Sequence, residues 1–159
     1  MIQKTLVLLK PDAVERGLMG ELIKKFETAG LKMIGMKMVW INQEFAAKHY
    51  SAHVKKQFYK SLEEYIVSGP ILAMVVEGVS AVEVVRKMAG NTEPKKAAPG
   101  TIRGDFAVHS YAYADGKGIS IKNLVHASGT EKEAEAEIKL WFKKEEMHSY
   151  KAVHEKHTQ

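Results

Sequence analysis

The sequence predicts an α/β (α+β) sandwich of the ferredoxin-like, split β-α-β kind, in which an antiparallel sheet is covered by helices. Three observations lead there. Short apolar, β-rich runs alternate with amphipathic helical patterns along the chain. Gly and Pro punctuate these runs at Gly30, Gly69-Pro70 and Gly90, leaving short connections. The 159 residues, 45% hydrophobic and 27% charged, suit one compact domain over residues 1–159, with no repeat, low-complexity stretch or linker to divide it. The order of elements places the helices on one face of the sheet.

Thr5 to Leu9 is apolar and β-rich and halts at Lys10-Pro11-Asp12, where proline cannot donate to a ladder, so a buried strand and then a loop are expected. Leu22, Ile23 and Phe26 oppose Lys24, Lys25 and Glu27 in a helix that stops at Gly30. Leu31 to Ile41 holds few turn formers and reads as a second strand. Asn42 caps a short helix to about Tyr50, and a second short helix runs from Ser61 to Ser68. Ile71 to Val76 is the clearest strand, and Ser80 is the expected cap of a helix through Met88. Asn91 to Asp105, with two prolines and two glycines, is expected to be a long functional loop. Phe106 to Tyr113 and Ile119 to Val125 flank an Asp115-Gly116 dipeptide, the signature of a hairpin insertion near 107–122. Thr130 and Glu133 form a capping box for a last helix to Phe142, with Ala134, Ile138 and Trp141 on its apolar side. The polar tail after Glu146 is expected to be peripheral.

Composition excludes several chemistries. The absence of cysteine removes disulfides, thiolate zinc sites and a thiol nucleophile. No segment spans a bilayer and the amino terminus carries no leader pattern, so a cytoplasmic location is expected. The net charge of +5 favours an anionic partner. Neither Gly-x-x-x-x-Gly-Lys-Ser/Thr nor a post-strand Gly-x-Gly-x-x-Gly is present. Any phosphate must be gripped by dispersed groups: Lys10, Arg86, Thr92 and Arg103, which are surface charges unless the fold gathers them. Arg103 stands out because it lies between Gly100 and Gly104, where the backbone can approach closely and a guanidinium can grip phosphate bidentately.

Among seven histidines, His49 and His53 read as a surface pair rather than a metal site, His148, His154 and His157 as solvated, and His109 as an exposed hairpin residue. His126 differs, because it ends the run Ile119 to Val125 and alternation sets Leu124, His126 and Ser128 on one face. Glu137, at the edge of the last helix's apolar stripe, is placed to reach back to that imidazole.

Lys10-Pro11-Asp12-Ala13-Val14, Pro99-Gly100-Thr101-Ile102-Arg103-Gly104-Asp105-Phe106 and Asn123-Leu124-Val125-His126-Ala127-Ser128, with His49-Tyr50 and Ser68-Gly69-Pro70 between them, resemble the nucleoside diphosphate kinase family over nearly the whole chain. The resemblance implies transfer of a γ-phosphoryl group from a nucleoside triphosphate to a nucleoside diphosphate, ping-pong, through phosphohistidine at His126, with broad base specificity. It further implies that Lys10, Tyr50, Arg86, Thr92, Arg103 and Asn123 hold phosphates and sugar, that Phe58 stacks on the base beside Leu62, and that Ser128 and Glu137 orient the histidine. Mg²⁺ is implied as cofactor, bound mainly through the nucleotide phosphates with no protein metal-ligand set. A homo-oligomer, hexamer rather than tetramer, is implied as well. On their own residues, Tyr50, Phe58 and Leu62 read as packed core.

The sequence departs from the family pattern at Gly129, where Asp is usual, at Ala127, where Gly is common, and in the length of the 107–122 insertion. A basic nucleic-acid-binding module of the same fold is the alternative, but Asp105 and the aromatic spacing break the RNA-recognition pattern around Arg103. A catalytically silent interaction subunit is the third reading.

Overall fold

The computed structural model describes residues 1–158. It contains strand β1 (Ile2–Leu9), helices α1 (Pro11–Glu15) and α2 (Met19–Thr28), strand β2 (Lys32–Val39), helices α3 (Gln43–His49) and α4 (Tyr59–Ile66), strand β3 (Ile71–Val79) and helix α5 (Ala81–Ala89). Helices α6 (Ile102–Phe106) and α7 (Tyr111–Lys117), strand β4 (Val125–Ala127) and helices α8 (Glu131–Trp141) and α9 (Glu155–Thr158) follow, with one-turn 3₁₀ segments at Pro94–Lys96 and Lys144–Glu146. The sheet order is β2-β3-β1-β4, and all three pairings are antiparallel. This is the predicted ferredoxin-like sandwich.

Both faces of the sheet are covered, not one. Val7, Leu9, Leu72, Met74 and Val76 pack with Leu22, Phe26 and Val85 of α2 and α5, whereas Leu6, Leu8, Ala73 and Val75 pack with Ala46, Ile66, Ile138 and Trp141 from α3, α4 and α8. The reason lies in β1, where Thr5 to Leu9 is fully buried without alternation, as a strand buried on both faces must be. No helix among the described residues is long and apolar enough to cross a membrane.

Two caps are as expected: the Asn42 carboxamide accepts from the Phe45 N–H at 2.9 Å, and the Thr130 hydroxyl from the Glu133 N–H at 3.1 Å. Glu133 completes its half of the capping box one residue early, accepting from the Gly129 N–H at 2.9 Å. Ser80 does not cap α5 with its side chain; it sits at φ +49°, and the Gln3 side-chain Oε1 accepts from the Val82 N–H instead.

The largest departure is the insertion. Residues 107–122 form no hairpin; Ser110 caps α7 by accepting from the Tyr113 N–H, and Gly118 ends it at φ +63°. The Asp115-Gly116 dipeptide therefore lies in the last helical turn, and the left-handed position that a turn needs falls two residues later. The expected loop Asn91–Asp105 likewise contains a 3₁₀ turn and the start of α6. The tail is a strap along β2: the His148 N–H donates to the Ile34 carbonyl at 2.7 Å, and Lys32 pairs with Glu155 at 2.8 Å.

Candidate active site

The site is built where β1, β4 and the chain following α5 converge. β1 is followed by Lys10, whose ammonium donates to the Asn123 carboxamide oxygen at 2.7 Å while its backbone N–H bonds the Leu124 carbonyl at 2.8 Å. Asp12, at the start of α1, accepts from the Leu124 N–H at 3.2 Å and from the Tyr65 hydroxyl at 2.6 Å. These bonds hold Leu124 at φ +67°, a conformation that costs a bulky side chain about 1–3 kcal/mol. Leu124 consequently leaves the expected alternation and packs with the α2/α5 core, whereas His126 and Ser128 remain together on the face of α8. The twist also directs the Asn123 amide to the Thr92 carbonyl at 3.0 Å, tying β4 to the segment after α5.

His126 Nε2 lies 3.0 Å from both carboxylate oxygens of Glu137. Burial acts to raise the Glu137 carboxyl pKa, but hydrogen bonds from His126 and Ser128 and the nearby imidazole charge outweigh it and hold it below the usual carboxylate value. An ionised carboxylate only accepts, so Nε2 carries a proton, and in the neutral imidazole Nδ1 is the nitrogen with the lone pair. The Ser128 hydroxyl donates to Glu137 at 2.6 Å and accepts from the Leu6 N–H at 3.3 Å, which fixes the carboxylate to β1.

Arg103 enters from α6 and is spent on backbone: Nε donates to the Asn123 carbonyl at 3.1 Å, Nη1 to Gly90 at 2.7 Å and Nη2 to Val125 at 2.7 Å. Arg103 is only 8% exposed, and burial followed by the Arg86 charge brings its pKa down to about 10, so it stays cationic at neutral pH. Lys10 is 7% exposed, and burial followed by Arg103's charge lowers its ammonium to about 7. Cations pressed together without a carboxylate partner of their own describe a place where an anion is missing from the charge balance.

Two contiguous hollows result. One of about 420 Å³ is lined by Lys10, Tyr50, Arg86, Thr92, Arg103, Asn123 and His126. The other, about 560 Å³ and more apolar, shares Lys10, Tyr50, Thr92 and Asn123 and adds Phe58, Leu62 and residues of α7. Every site residue that the resemblance implies lines one of these hollows or, as Ser128 and Glu137, bonds behind the imidazole. Phe58 is 51% exposed at the cleft and so is not core. Tyr50 is buried between His49 and His126, its ring centroids 4.5 and 6.4 Å from theirs.

His49 corrects the surface-pair reading. Its ring is enclosed, packed edge-on against His126 at 4.7 Å, with Nδ1 accepting from the Trp141 indole at 3.1 Å. Burial, then the charge of His126, lowers its pKa to about 3, so it is neutral. Asp12, Tyr65 and His49 carried no spacing signal that set them apart from ordinary helix residues. Asp12, next to proline after a strand, was legible only as a turn. Gly129 leaves room for Glu133, whose Oε2 would lie 2.6 Å from a Cβ built there, and Ala127 has no left-handed backbone that would call for glycine.

Gly104 fixes how α6 carries Arg103. A Cβ there runs into the Ala98 carbonyl, and the Gly104 N–H is bonded to the Thr101 hydroxyl at 3.1 Å. Gly104→Ala is expected to destabilise the protein by about 2 kcal/mol or more, read as a lower urea midpoint at unchanged m. An unchanged midpoint would show that the Pro99–Arg103 turn yields freely.

An anion hollow with an oriented imidazole, joined to an apolar hollow, is the constellation of a phosphotransferase acting on nucleotides. Residues 3–147 match the family model described as nucleoside diphosphate kinase. The nucleoside diphosphate kinase of Pyrococcus abyssi is 56% identical over 148 residues, covering 93% of this chain and 89% of its own. That of Borreliella burgdorferi is 47% identical over 156 residues, 95% of this chain and 93% of its own. Among solved structures, a transition-state mimic of the Borrelia burgdorferi enzyme with vanadate and ADP superposes with a TM-score of 0.95 at 46% identity, covering 99% of this chain and 96% of that one. The Halobacterium salinarum enzyme in complex with CDP gives 0.87 at 39% identity, over 98% and 97%. The chain belongs to the nucleoside diphosphate kinase family and is an enzyme of nucleotide phosphoryl transfer.

Proposed function

We propose that His126 is the nucleophile of a ping-pong reaction between nucleoside triphosphates and diphosphates. The observation that carries this is the Nε2–H bond to ionised Glu137, which leaves the Nδ1 lone pair free beside a hollow lined by Lys10, Arg86 and Arg103. Nδ1 attacks the γ-phosphorus, the bond to the bridging oxygen breaks, and the diphosphate leaves with the electron pair. An acceptor diphosphate then attacks the phosphohistidine, the N–P bond breaks, and Nδ1 recovers its lone pair while Nε2 keeps its proton throughout.

Lys10, Arg86 and Arg103 neutralise phosphate charge, and Tyr50, Thr92 and Asn123 hold phosphate or sugar at the junction of the hollows. Phe58 and Leu62 take the base, and stacking on a π-face suits every base. Ser128 and Glu137 are positioning residues. Glu133, already bonded to the Gly129 N–H, is the one carboxylate lining the phosphate hollow among the described residues, which fits a Mg²⁺ ion brought on the nucleotide's own phosphates. Bound there, the ion supplies further neutralisation of the phosphates. Exposed Met36 and Met38 on the edge strand β2, with Trp40 just after it, support a homo-oligomer, for which a hexamer is our reading, with residues 1–159 as one domain working in the cytoplasm.

The direct test is intact-protein mass after brief exposure to ATP and Mg²⁺. A single phosphoryl adduct, missing in His126→Ala and discharged by UDP as UTP, is expected; an adduct that survives in His126→Ala would overturn the assignment.

Lys10 adds a pH signature. With its ammonium lowered to about 7 in the free protein, it is largely neutral at pH 8 and must take up a proton when a polyphosphate arrives. Diphosphate affinity is therefore expected to fall as pH rises above about 7, by at most about tenfold per unit. Calorimetry at pH 8 in buffers of different ionisation heat reads the proton uptake. Equal uptake in wild type and Lys10→Met would sink the idea.

A further inference from the structure

The inserted segment 107–122 forms part of the cleft that phosphoryl transfer does not use. It is anchored throughout: the Tyr111 N–H donates to the buried Glu93 carboxylate at 3.0 Å, the Lys95 N–H to the His109 carbonyl at 3.1 Å, and the Lys122 N–H to His109 Nδ1 at 3.1 Å. Ala114 is the buried residue of α7. Anchored in this way, α7 and the residues after it present Ala114, Asp115 and Ile119 to the same apolar hollow as Phe58 and Leu62.

Asp115 occupies a particular place in that wall. It lines both the apolar hollow and the shallower one beside it, which Lys60, Ser61 and Gly118 border, so it stands at the outer rim, away from the cations around His126. Among the described residues its carboxylate makes no hydrogen bond or ion pair and is the only acidic group lining the apolar hollow. A carboxylate accepts and does not donate.

The four bases differ in what they offer such a group. Guanine presents two adjacent donors, N1–H and the 2-amino group, matched to two carboxylate oxygens. Adenine and cytosine present one amino group next to a ring nitrogen that is itself an acceptor, and uracil presents one N–H between two carbonyls. Only guanine gives a two-point, charge-assisted contact without setting lone pairs against each other.

We propose that Asp115 is a specificity-determining residue that accepts from N1–H and the 2-amino group of guanine, giving the cleft a preference for guanine nucleotides on top of base-tolerant stacking. This rests on the reading above that phosphates fill the hollow at His126 and the base fills the one at Phe58.

The test compares GDP, IDP and ADP by calorimetry on the full chain. IDP is GDP without the 2-amino group. GDP is expected to bind about tenfold tighter than IDP or ADP, and in Asp115→Ala the GDP and IDP constants converge to within about twofold. Asp115→Asn, which preserves volume but places an amide against the guanine edge, closes the same gap and serves should the alanine variant fold poorly. Equal binding of GDP and IDP by wild type, or a gap that persists in both variants, overturns the role of Asp115. Failure of all three nucleotides to bind wild type at millimolar concentration would instead overturn the placement of the base, and the proposal with it.

Discussion

Replacing His126 by alanine is expected to lower phosphoryl transfer between nucleotides by about 10⁴-fold or more, because the covalent route is lost altogether. No neighbouring nitrogen can take over. His49 is the nearest imidazole, 4.7 Å away between ring centroids, but its Nδ1 is engaged by the Trp141 indole and its ring is enclosed. Glu137→Gln is expected to behave differently, losing about 10- to 100-fold, mainly in kcat, since the amide oxygen still accepts from Nε2–H but no longer stabilises charge that develops on the ring. Because Glu137's pKa is held below the ordinary carboxylate value, its contribution is present at neutral pH and is lost only as pH falls through that lowered value. The wild-type advantage over Glu137→Gln should therefore be flat from about pH 6 to 9. Quenched-flow measurement of phosphoenzyme formation separates the two variants. A His126→Ala protein that keeps a hundredth of wild-type transfer, or a Glu137→Gln protein as inactive as His126→Ala, would contradict this division of labour.

How much of this was legible in the sequence depends on whether the cause was local. Asn42 and Thr130 cap the helices they announce, since the bond spans three residues and needs nothing from the rest of the fold. Ser80 does not cap α5 because the Gln3 side chain, which the sheet brings from the far end of the chain, accepts from the Val82 N–H in its place. In the 107–122 insertion the Asp-Gly turn signal competed with a Ser110 cap and with Gly118, and periodicity over seven residues cannot arbitrate between them. In the site, the side chains named in advance do gather at one cleft. Their support did not show itself. Asp12 reaches Leu124 across 112 positions, and the left-handed turn at Leu124 was invisible to strand alternation. His49 looked like half of a surface pair because nothing in its spacing states that Trp141 and His126 will enclose it.

Arg103→Lys, a substitution that preserves charge, is expected to be nearly as damaging as removal of the side chain. Arg103 spans three carbonyls on two separate segments, Gly90 after α5 and Asn123 and Val125 around β4, at 2.7 to 3.1 Å. It thereby clamps the strand that carries His126 to the chain that carries Thr92, and still faces the hollow. A lysine offers three donors from one point, which cannot meet three divergent carbonyls and a phosphate together. Each buried carbonyl left without a partner costs about 1–3 kcal/mol, so a stability loss of about 2–4 kcal/mol and a fall in kcat of about 10²- to 10³-fold are expected. A second consequence concerns pH. The site lowers even the guanidinium to about 10 and the neighbouring Lys10 to about 7, by burial first and then by mutual repulsion of the cations. An ammonium placed at position 103 would be driven down in the same way and would lose its proton as pH rises through neutrality. The residual activity of Arg103→Lys should accordingly decline between about pH 7 and 9 by more than the wild type's does. Denaturant titration and a pH profile of kcat and KM measure the two effects separately. Wild-type stability together with a wild-type pH profile in Arg103→Lys would mean that the cleft needs only a positive charge at this position, and the clamp would have to be assigned to Asn123 and Asp12 alone.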